Sequence, residues 1–467
     1  MVNEMVGYRI ESDVLGKVKV PKEAYYGPET QRTINNFNIS GTRVPIEIFH
    51  TYAMLKKAAA MANWKDGKLD NKRATAIARA CDEVLSHKLD EEFQIDVFQA
   101  GAGTCTNMNV NEVVANKAIE LLGGKKGEYS IVHPNDHVNM SQSTNDTMPS
   151  VARIAIYLAI RDCLLPSLKK LEKSLERKSV EFRNIVKVGR THMQDAVPVT
   201  LEQEFSGYRW AVSNSMRMLS DAQKRLLSLP LGGTAVGNGI NADRRYERFA
   251  IEELNRMTGE RFRVSGNKFV VMQQRLEELG VSDALKEVAT AINKIANDIR
   301  LLSSGPRSAI GEIALPEVMP GSSIMPGKIN PSMAEMINMV CQKVIGSCTT
   351  VTEAANGGQL EINVYTPIIV YEILYSIRIL SNGSSTFADR CISGITANRS
   401  KISKELDMDL SLATALNQYI GYSKASYIAR RALRENKSVK QVCIELGVLD
   451  RKALDRILDP DREARRT

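Results

Sequence analysis

The sequence predicts an all-α protein, and two features of the chain support this prediction. Long stretches place apolar side chains at three- and four-residue steps, which is the period of one helix face, while strand signals are few. Residues that end helices are concentrated in short polar segments, and four of the 15 prolines fall within residues 316–331. We therefore expect long helices that are separated by brief polar breaks.

The composition is typical of a soluble globular protein, with 43% hydrophobic and 25% charged residues in a chain of 467. A chain of this length is expected to form roughly two to four domains. It contains no apolar run of the ~18 residues that a membrane-spanning helix needs, so we expect no membrane span. The opening residues MVNEMVGYRIESD show no secretion signal, and seven scattered cysteines without a C-x-x-C pair are typical of reduced thiols. These features predict a cytoplasmic protein.

The formal net charge of +8 suits two kinds of partner, nucleic acid or a small anion. Lysine and arginine are spread along the chain beside acidic residues, as in SLKKLEKSLERKSVEF at 167–182, and aromatic residues make up only 6%. Nucleic-acid surfaces usually combine a clustered basic patch with aromatic side chains. The sequence therefore favours a small anionic ligand and no nucleic acid.

Residues 1–145 are expected to form an N-terminal helical domain that carries polar loops. The segments 46–63 and 71–89 have helical periodicity and many good helix formers. GAGTCTNMNVNEV at 101–113 and HPNDHVNMSQSTNDTMPS at 133–150 are instead rich in residues that favour turns and helix N-termini.

Residues 146–393 are expected to form a central bundle of long helices. Over 151–186, apolar residues from Ile154 to Ile185 fall on one helix face, which makes this helix unusually long. Further long helical stretches are predicted at about 197–229, 270–303 and, with interruptions, 332–390. Such continuous apolar faces need partners, so we expect a homo-oligomer.

Residues 394–467 are expected to form a small C-terminal helical domain. They contain shorter helical patterns, such as SKASYIARRALREN at 423–436 and VKQVCIELGV at 439–448. No fixed-period repeat or low-complexity tract is present in the sequence.

GSSIMPGKINP at 321–331 is the most unusual segment of the chain, because its prolines and glycines exclude a continuous helix. Long loops in compact domains usually serve as lids or binding loops. Lys328, Asn330 and the N-terminus of the following helix could hold an anion there. A serine beside a cation and backbone amides can act as a general base, although Ser322 and Ser323 also suit an ordinary turn.

GSSIMPGKINP resembles the signature segment of the aspartase/fumarase superfamily. Other motifs of the family follow in the family's order, so that the resemblance covers about residues 8–460. These motifs are GAGTCTNMNVNEV, HPNDHVNMSQSTND, GRTHMQDAVP at 189–198, GGTAVGNGIN at 232–241 and SGPRSAIGEI at 304–313.

The resemblance implies a mainly helical subunit of three domains and a homotetramer whose active sites are each built from three subunits. It implies that an amine or a hydroxyl group is eliminated from a small dicarboxylate substrate to give fumarate, without a cofactor. The difficult step is removal of the proton next to a carboxylate, because the resulting aci-carboxylate dianion needs preorganised donors.

The resemblance also assigns roles to individual residues. Ser322 is expected to be the general base, and Glu335 is expected to pair with His192. The hydroxyl groups expected to stabilise the dianion belong to Thr104, Ser143, Thr144 and Ser323. The residues expected to bind the other carboxylate are Thr191, Lys328 and Asn330. The residues expected to face the leaving group are Asn145 and His192.

His133 and His137 have the spacing of a helical metal pair, but Pro134 lies between them and no third ligand is evident, so we expect no metal there. His133, Asn135 and Asp136 resemble a secondary anion site of fumarases. A purely structural role of this segment is the alternative.

The leaving group is not decided by the shared motifs. The sequences GAGT, QSTND, GEY, GQLEINV and GITAN resemble aspartases, whereas GGTAVG and NKF resemble fumarases. We therefore predict an aspartate ammonia-lyase that converts L-aspartate to fumarate and ammonia. A class II fumarase is the alternative, and an inactive helical scaffold of the same superfamily is the third hypothesis.

Overall fold

The structure is a computed structural model that describes residues 7–465. Residues 1–6 and 466–467 lie outside the described residues. Residues 1–6 begin the segment in which we expect no secretion signal, and residues 466–467 end the predicted C-terminal domain. The all-α prediction is confirmed, because long helices dominate and the strands are few and short. None of the helices within residues 7–465 combines the length and the apolar character that crossing a bilayer requires.

The helices of the first half of the chain are α1 (Pro28–Asn36), α2 (Ile46–Lys65), α3 (Asn71–Leu85), α4 (Thr104–Leu121), α5 (Thr144–Ala159), α6 (Leu165–Glu181) and α7 (Leu201–Arg225). Those of the second half are α8 (Arg244–Thr258), α9 (Lys268–Gln273), α10 (Leu276–Leu302), α11 (Ser332–Asn356), α12 (Thr366–Arg390), α13 (Arg399–Asp407), α14 (Asn417–Ile420), α15 (Tyr422–Glu435), α16 (Val439–Glu445), α17 (Arg451–Ile457) and α18 (Pro460–Ala464).

The strands of the described residues pair only as two-stranded sheets. They are β1 (Tyr8–Asp13), β2 (Gly16–Pro21), β3 (Val186–Thr191), β4 (Gln194–Thr200), β5 (Ser228–Leu229), β6 (Arg263–Val264), β7 (Ile313–Ala314) and β8 (Thr396–Ala397). The pairs β1–β2, β3–β4 and β7–β8 are antiparallel, whereas β5–β6 is parallel.

The chain divides into two compact units, each assembled from separate segments of sequence. Unit 1 contains the residues through Leu164, Met218–Lys286 and Lys343–Ile379. Unit 2 contains Leu165–Arg217, Glu287–Gln342 and the residues from Leu380 onward. The division into three domains stays a prediction.

Unit 1 is organised around α2, which packs against α3, α5 and α8. The buried face of α2 is rich in small side chains, namely Ala58, Ala59, Ala60 and Ala62. Because helix separation depends on the side chains at the contact, alanines allow a close approach of the neighbouring helices. This packing places Lys56 and Asn63 of α2 next to the loop that precedes α5.

Unit 2 contains the β3–β4 hairpin and a small helical core near the C-terminus. The core is formed by buried apolar residues such as Leu416, Ile428, Val442 and Leu454. Helices α15 and α16 match the helical patterns predicted at 423–436 and 439–448 closely.

Three predicted helices differ from the structure, and the one predicted at about 270–303 is divided into α9 and α10. The helix predicted at 151–186 begins earlier as α5, passes through a π-helical turn at Ile160–Leu164, and ends with α6 before β3. The helix predicted from about 197 begins at Leu201, because the preceding residues pair with β3 as strand β4. The alternation of valine in VKV and VPV is a period-two signal that the helical interpretation overlooked.

Candidate active site

The polar segment 101–113 forms the start of α4, and Thr104 is the first residue of that helix. Gly103 precedes it with a φ of 82°, a left-handed conformation that glycine adopts readily. A Cβ at Gly103 would also lie 2.8 Å from the Cγ of Met148 in α5, so the start of α4 lies close to α5. The Oε1 of Gln99 accepts a hydrogen bond from the backbone N–H of Thr106 at 3.0 Å, so a side chain of the preceding loop holds the first turn of α4.

Ser143, Thr144 and Asn145 lie together at the start of α5. The Oγ of Ser143 accepts a hydrogen bond from the backbone N–H of Asn145 at 3.2 Å. The Oδ1 of Asp146 accepts from the backbone N–H of Ser143 at 2.9 Å, which completes a capping box. This reciprocal pair fixes the backbone from which the three predicted site side chains extend.

The same loop is joined to the GGTAVGNGIN segment. The Nδ2 of Asn145 donates to the carbonyl oxygen of Ala235 at 2.8 Å, and the backbone N–H of Gly232 donates to Asp146 Oδ2 at 2.8 Å. Burial raises the pKa of the Asp146 carboxyl to about 6, although hydrogen bonds from backbone amides act in the opposite direction. Two of the motifs that lie far apart in the sequence are therefore adjacent in unit 1.

A buried lysine that the sequence analysis missed lies behind this loop. Lys56 of α2 is fully buried and donates to Asn107 Oδ1 at 2.7 Å, Asn139 Oδ1 at 2.8 Å and Gln142 Oε1 at 2.9 Å. Asn107 in turn donates from Nδ2 to the Oγ1 of Thr144 at 2.9 Å. The hydroxyl of Thr144 is therefore positioned through Asn107 by the Nζ of Lys56.

The charged form of Lys56 has three N–H groups and can donate to all three acceptors, whereas the neutral amine has two and can donate to two of them. Burial lowers the pKa of Lys56 to about 7, and the Asp146 carboxylate opposes this shift. The position of Lys56 was the sequence signal for a buried lysine. Lys56 lies four residues after the buried Tyr52 and three before the buried Ala59, which places it on the buried face of α2. A lysine on the apolar face of a helix is rare unless it has partners.

The predicted secondary anion segment forms one π-helical turn, Pro134–Val138. The Nδ1 of His133 accepts hydrogen bonds from the backbone N–H groups of Asn135 and Asp136, both at 3.2 Å. These contacts assign the ring proton of His133 to Nε2. The three residues thus share a turn in unit 1, and their anion-binding role stays a prediction.

In unit 2, Thr191 and His192 lie at the tip of the β3–β4 hairpin. His192 and Met193 form its two-residue turn with φ of 54° and 61°, which is a type I′ geometry. This left-handed backbone costs about 1–2 kcal/mol for a residue with a side chain. Strained residues of this kind are concentrated at functional sites, so the turn agrees with a functional role of His192.

Ion pairs hold the base of this hairpin. Lys187 contacts Glu204 at 2.7 Å and Glu312 at 3.0 Å, while Arg190 contacts Glu312 at 2.5 Å and Glu405 at 3.2 Å. Burial raises the pKa of Glu204, and the positive charge of Lys187 opposes that effect. Because Lys187 and Glu312 are both almost inaccessible, their orientation is tightly defined. A cavity of about 790 Å³ extends from this cluster to His192.

The segment 321–331 forms a loop closed by hydrogen bonds between its ends. The backbone N–H of Gly321 donates to the carbonyl oxygen of Lys328 at 2.9 Å, and the Nδ2 of Asn330 donates to the carbonyl oxygen of Gly321 at 2.6 Å. A Cβ at Gly321 would lie 2.3 Å from the Lys328 carbonyl oxygen, so this closure requires glycine. Lys328 and Asn330 line a cavity of about 690 Å³.

The Oγ of Ser322 accepts two backbone hydrogen bonds within this loop. Their donors are the N–H groups of Ile324 at 3.2 Å and Met325 at 2.9 Å. Donors of this kind stabilise an alkoxide more than a hydroxyl and therefore favour ionisation of the serine. Ser323 and Lys328 are exposed in the same loop.

Glu335 lies in the first turn of α11, where its backbone N–H donates to the Pro331 carbonyl oxygen at 3.0 Å. No ion pair joins it to His192 within the chain between residues 7 and 465, so that pairing stays a prediction.

The candidate residues are distributed over both units. Unit 1 carries Thr104, Ser143, Thr144 and Asn145, and unit 2 carries Thr191, His192, Ser322, Ser323, Lys328, Asn330 and Glu335.

Comparisons with known proteins agree with these motifs over almost the whole chain. A family model described as lyase matches residues 16–346, and one described as Fumarase C C-terminus matches residues 412–462. The chain is 46% identical over 448 residues to the fumarate hydratase class II of Thermosynechococcus vestitus, with 96% of each chain covered. It is 43% identical over 454 residues to the fumarate hydratase class II of Bacillus subtilis, which covers 97% of this chain and 98% of that relative.

The fold is also similar to that of a solved fumarase. The crystal structure of the recombinant class II fumarase from Schistosoma mansoni has a TM-score of 0.96 and 37% identity, and the match covers 98% of this chain and 100% of that chain.

The prediction of an aspartate ammonia-lyase is wrong, because these full-length relatives are fumarate hydratases. The prediction rested on small local differences such as Thr144 in QSTND. Thr144 differs from serine by one methyl group, and its hydroxyl is held by Asn107. A methyl group next to a fixed hydroxyl does not by itself select ammonia over water as the leaving group.

Proposed function

This chain belongs to the fumarase branch of the aspartase/fumarase lyase superfamily, and we propose that it is a class II fumarate hydratase that interconverts L-malate and fumarate. The observation that carries the proposal is the 46% identity to a fumarate hydratase over 96% of both chains. The site residues predicted from the motifs are compatible with this chemistry, as follows.

Ser322 acts as the general base. It removes a proton from the carbon next to one carboxylate of malate, and the electron pair moves into that carboxylate to form the aci-carboxylate dianion. The two backbone donors on Ser322 Oγ support a basic oxygen at this position, and Lys328 adds a positive charge to the same loop. The product of this step is a neutral serine hydroxyl.

The dianion is stabilised by hydroxyl groups and by helix N-termini. Thr104 begins α4 and Thr144 begins α5, so both hydroxyls lie where the helix dipole is positive. Ser143 and Ser323 complete the predicted set of donors. Because Thr144 is held by the Lys56–Asn107 chain, it needs no reorganisation when the negative charge develops.

Thr191, Lys328 and Asn330 bind the second carboxylate. Asn145 and His192 face the hydroxyl group that leaves, and His192 supplies the proton with which it departs as water. Loss of water from the dianion forms the double bond of fumarate. Glu335 pairs with His192 and orients its ring.

We propose a homotetramer in which three subunits contribute to each site. The distribution of candidate residues over both units supports this arrangement. Large apolar side chains are exposed on the long helices, such as Trp210 of α7 and Met339 of α11, and exposed apolar surface of this kind often marks an interface. Light scattering of the purified protein tests it, and a monomeric mass would contradict it. A cytoplasmic location is part of the same proposal.

A substrate assay tests the proposed activity. The protein is incubated separately with L-malate and with L-aspartate, and fumarate formation is followed by its ultraviolet absorbance. We expect fumarate from malate and none from aspartate. Turnover of aspartate alone would contradict the proposal, and turnover of neither substrate would favour an inactive scaffold.

A further inference from the structure

Two histidines and an aspartate meet at the surface of unit 1, outside the candidate active site. His50 lies in α2, His87 follows the end of α3, and Asp90 begins a short 3-10 helix, Asp90–Glu92. The chain has only five histidines, and two of them share this one carboxylate. None of the three residues has a role in the proposed hydratase reaction.

Both imidazole rings contact the same carboxylate group. His50 Nε2 lies 2.8 Å from Asp90 Oδ1, and His87 Nδ1 lies 2.9 Å from Asp90 Oδ2. The ring centroids are 4.3 Å apart, with an interplanar angle of 89°. One ligand atom from each residue lies within 4.8 Å of the other two. Ligand atoms of a tetrahedral site with metal–ligand bonds of about 2.1 Å lie about 3.4 Å apart. The pairs now at 2.8 and 2.9 Å therefore need to separate slightly, and any pair near the 4.8 Å limit needs to approach.

The surroundings of the cluster suit a metal ligand set. The side chains of His50, Asp90 and His87 are 15%, 31% and 67% exposed, so the cluster has a closed side and an open side. Both oxygens of the Asp90 carboxyl group face an imidazole nitrogen, and carboxylate oxygens bind divalent metal ions together with imidazole nitrogens.

The backbone at His87 gives a further indication. Its φ of 64° is left-handed, at a position after a helix end where glycine or asparagine is usual. An imidazole at this position is held towards Asp90 in spite of the backbone strain. If this residue only ended the helix, glycine would adopt the left-handed backbone at a lower energetic cost.

We propose that His50, His87 and Asp90 bind a divalent transition-metal ion, with Zn²⁺ as the preferred ion. Two imidazole nitrogens and one carboxylate oxygen form a common zinc ligand set. On binding, the proton of each neutral ring that faces Asp90 moves to the other ring nitrogen, and the freed nitrogen coordinates the metal. Water completes the coordination on the exposed side. The ion links α2 to the segment after α3, so it stabilises unit 1.

Co²⁺ serves as the probe because its visible absorption reports the ligand set. The full-length protein is treated with a chelator, dialysed and titrated with Co²⁺, and Zn²⁺ is then added as competitor. We expect one Co²⁺ per chain, displacement by Zn²⁺, and a higher melting temperature with either ion.

His87→Asn is the informative variant, because asparagine tolerates the left-handed backbone but lacks the imidazole. We expect its affinity for Co²⁺ to fall by about 100-fold or more, since changes merely around metal ligands already cost about 10–100-fold. His137→Asn removes a histidine elsewhere in unit 1, and Cys163→Ser removes an exposed thiol. Both controls should retain one tightly bound Co²⁺ per chain.

Two results would overturn the proposal. One is an unchanged Co²⁺ affinity in His87→Asn, which would place the ion elsewhere. The other is weak binding with no defined stoichiometry in the native protein, which would leave the cluster as an ion pair with two histidines. Neither result depends on whether the chain is a fumarate hydratase.

Discussion

The two units support their candidate site residues in different ways. In unit 1, Thr144 is held by a buried side-chain network that runs from Lys56 through Asn107. In unit 2, His192 and Ser322 lie at least partly exposed in a hairpin turn and a loop, where backbone hydrogen bonds and dihedral angles define their positions. We infer that substitutions in the buried network of unit 1 lower stability and catalysis together. Substitutions in the exposed turn and loop of unit 2 should change either catalysis or stability without the other.

The largest effect is expected for Ser322→Ala in unit 2. Loss of a general base should reduce malate turnover by about 10²–10⁴-fold. The melting temperature should stay nearly constant, because the Oγ contacts only amides of its own loop. Turnover and thermal unfolding are measured on the same preparation.

The matched control is Ser393→Ala, which removes an exposed serine hydroxyl of unit 2 that donates to a backbone carbonyl. It should leave turnover unchanged. Near-native turnover of Ser322→Ala would show that another group is the base.

In unit 1, Lys56→Met should lower both stability and turnover. The substitution removes the donor of the buried Asn107 oxygen and of the half-buried Asn139 and Gln142 oxygens, which we expect to cost about 3–5 kcal/mol in the free energy of unfolding. Turnover should fall as well, because Asn107 no longer fixes Thr144. Denaturant unfolding and the malate assay measure the two effects.

Lys57→Met is the control, because the neighbouring Lys57 pairs with the exposed Asp82 at 2.6 Å. Removing such a surface pair should cost about 0–1 kcal/mol. A Lys56→Met variant with altered turnover and native stability would contradict the coupling inferred for unit 1.

The pH dependence of stability offers a sharper test of Lys56. Its pKa of about 7 in the folded protein lies below the ordinary lysine value of 10.5, because of burial. Between these values the unfolded chain binds more protons, so the stabilisation is complete at high pH and decreases as the pH falls to about 7. The difference in unfolding free energy between the native protein and Lys56→Met should therefore increase from pH 7 to pH 10. A constant difference would mean that Lys56 keeps an ordinary pKa.

The smallest effect is expected for Met193→Gly at the hairpin tip. Glycine relieves the strain of the left-handed backbone, but it also gives the unfolded chain more conformational entropy. The net effect should be a stabilisation of about 0.5–1 kcal/mol. Thermal unfolding measures it. Gln194→Gly in β4 adds the same flexibility without relieving a positive φ, so it should destabilise. Equal effects of the two variants would show that the turn is not strained.

Much of the helical architecture could be predicted because helix formation follows local periodicity. The stretches at 46–63 and 71–89 became α2 and α3 with small shifts at their ends. The hairpin at β3–β4 was missed, because its short period-two signal borders long helical patterns. Its type I′ turn uses His192 and Met193, and neither residue is a typical signal for such a turn.

The sequence by itself determined the all-α class, the loop at 321–331 and membership of the superfamily, because each depends on the order of residues within short segments. The leaving group did not follow from those segments. Only the tertiary structure placed Lys56 behind Thr144, and only it brought His50 to His87 and Asp90. Burial and contact depend on the packing of helices that are distant in the sequence, and no local pattern specifies which side chains that packing brings together.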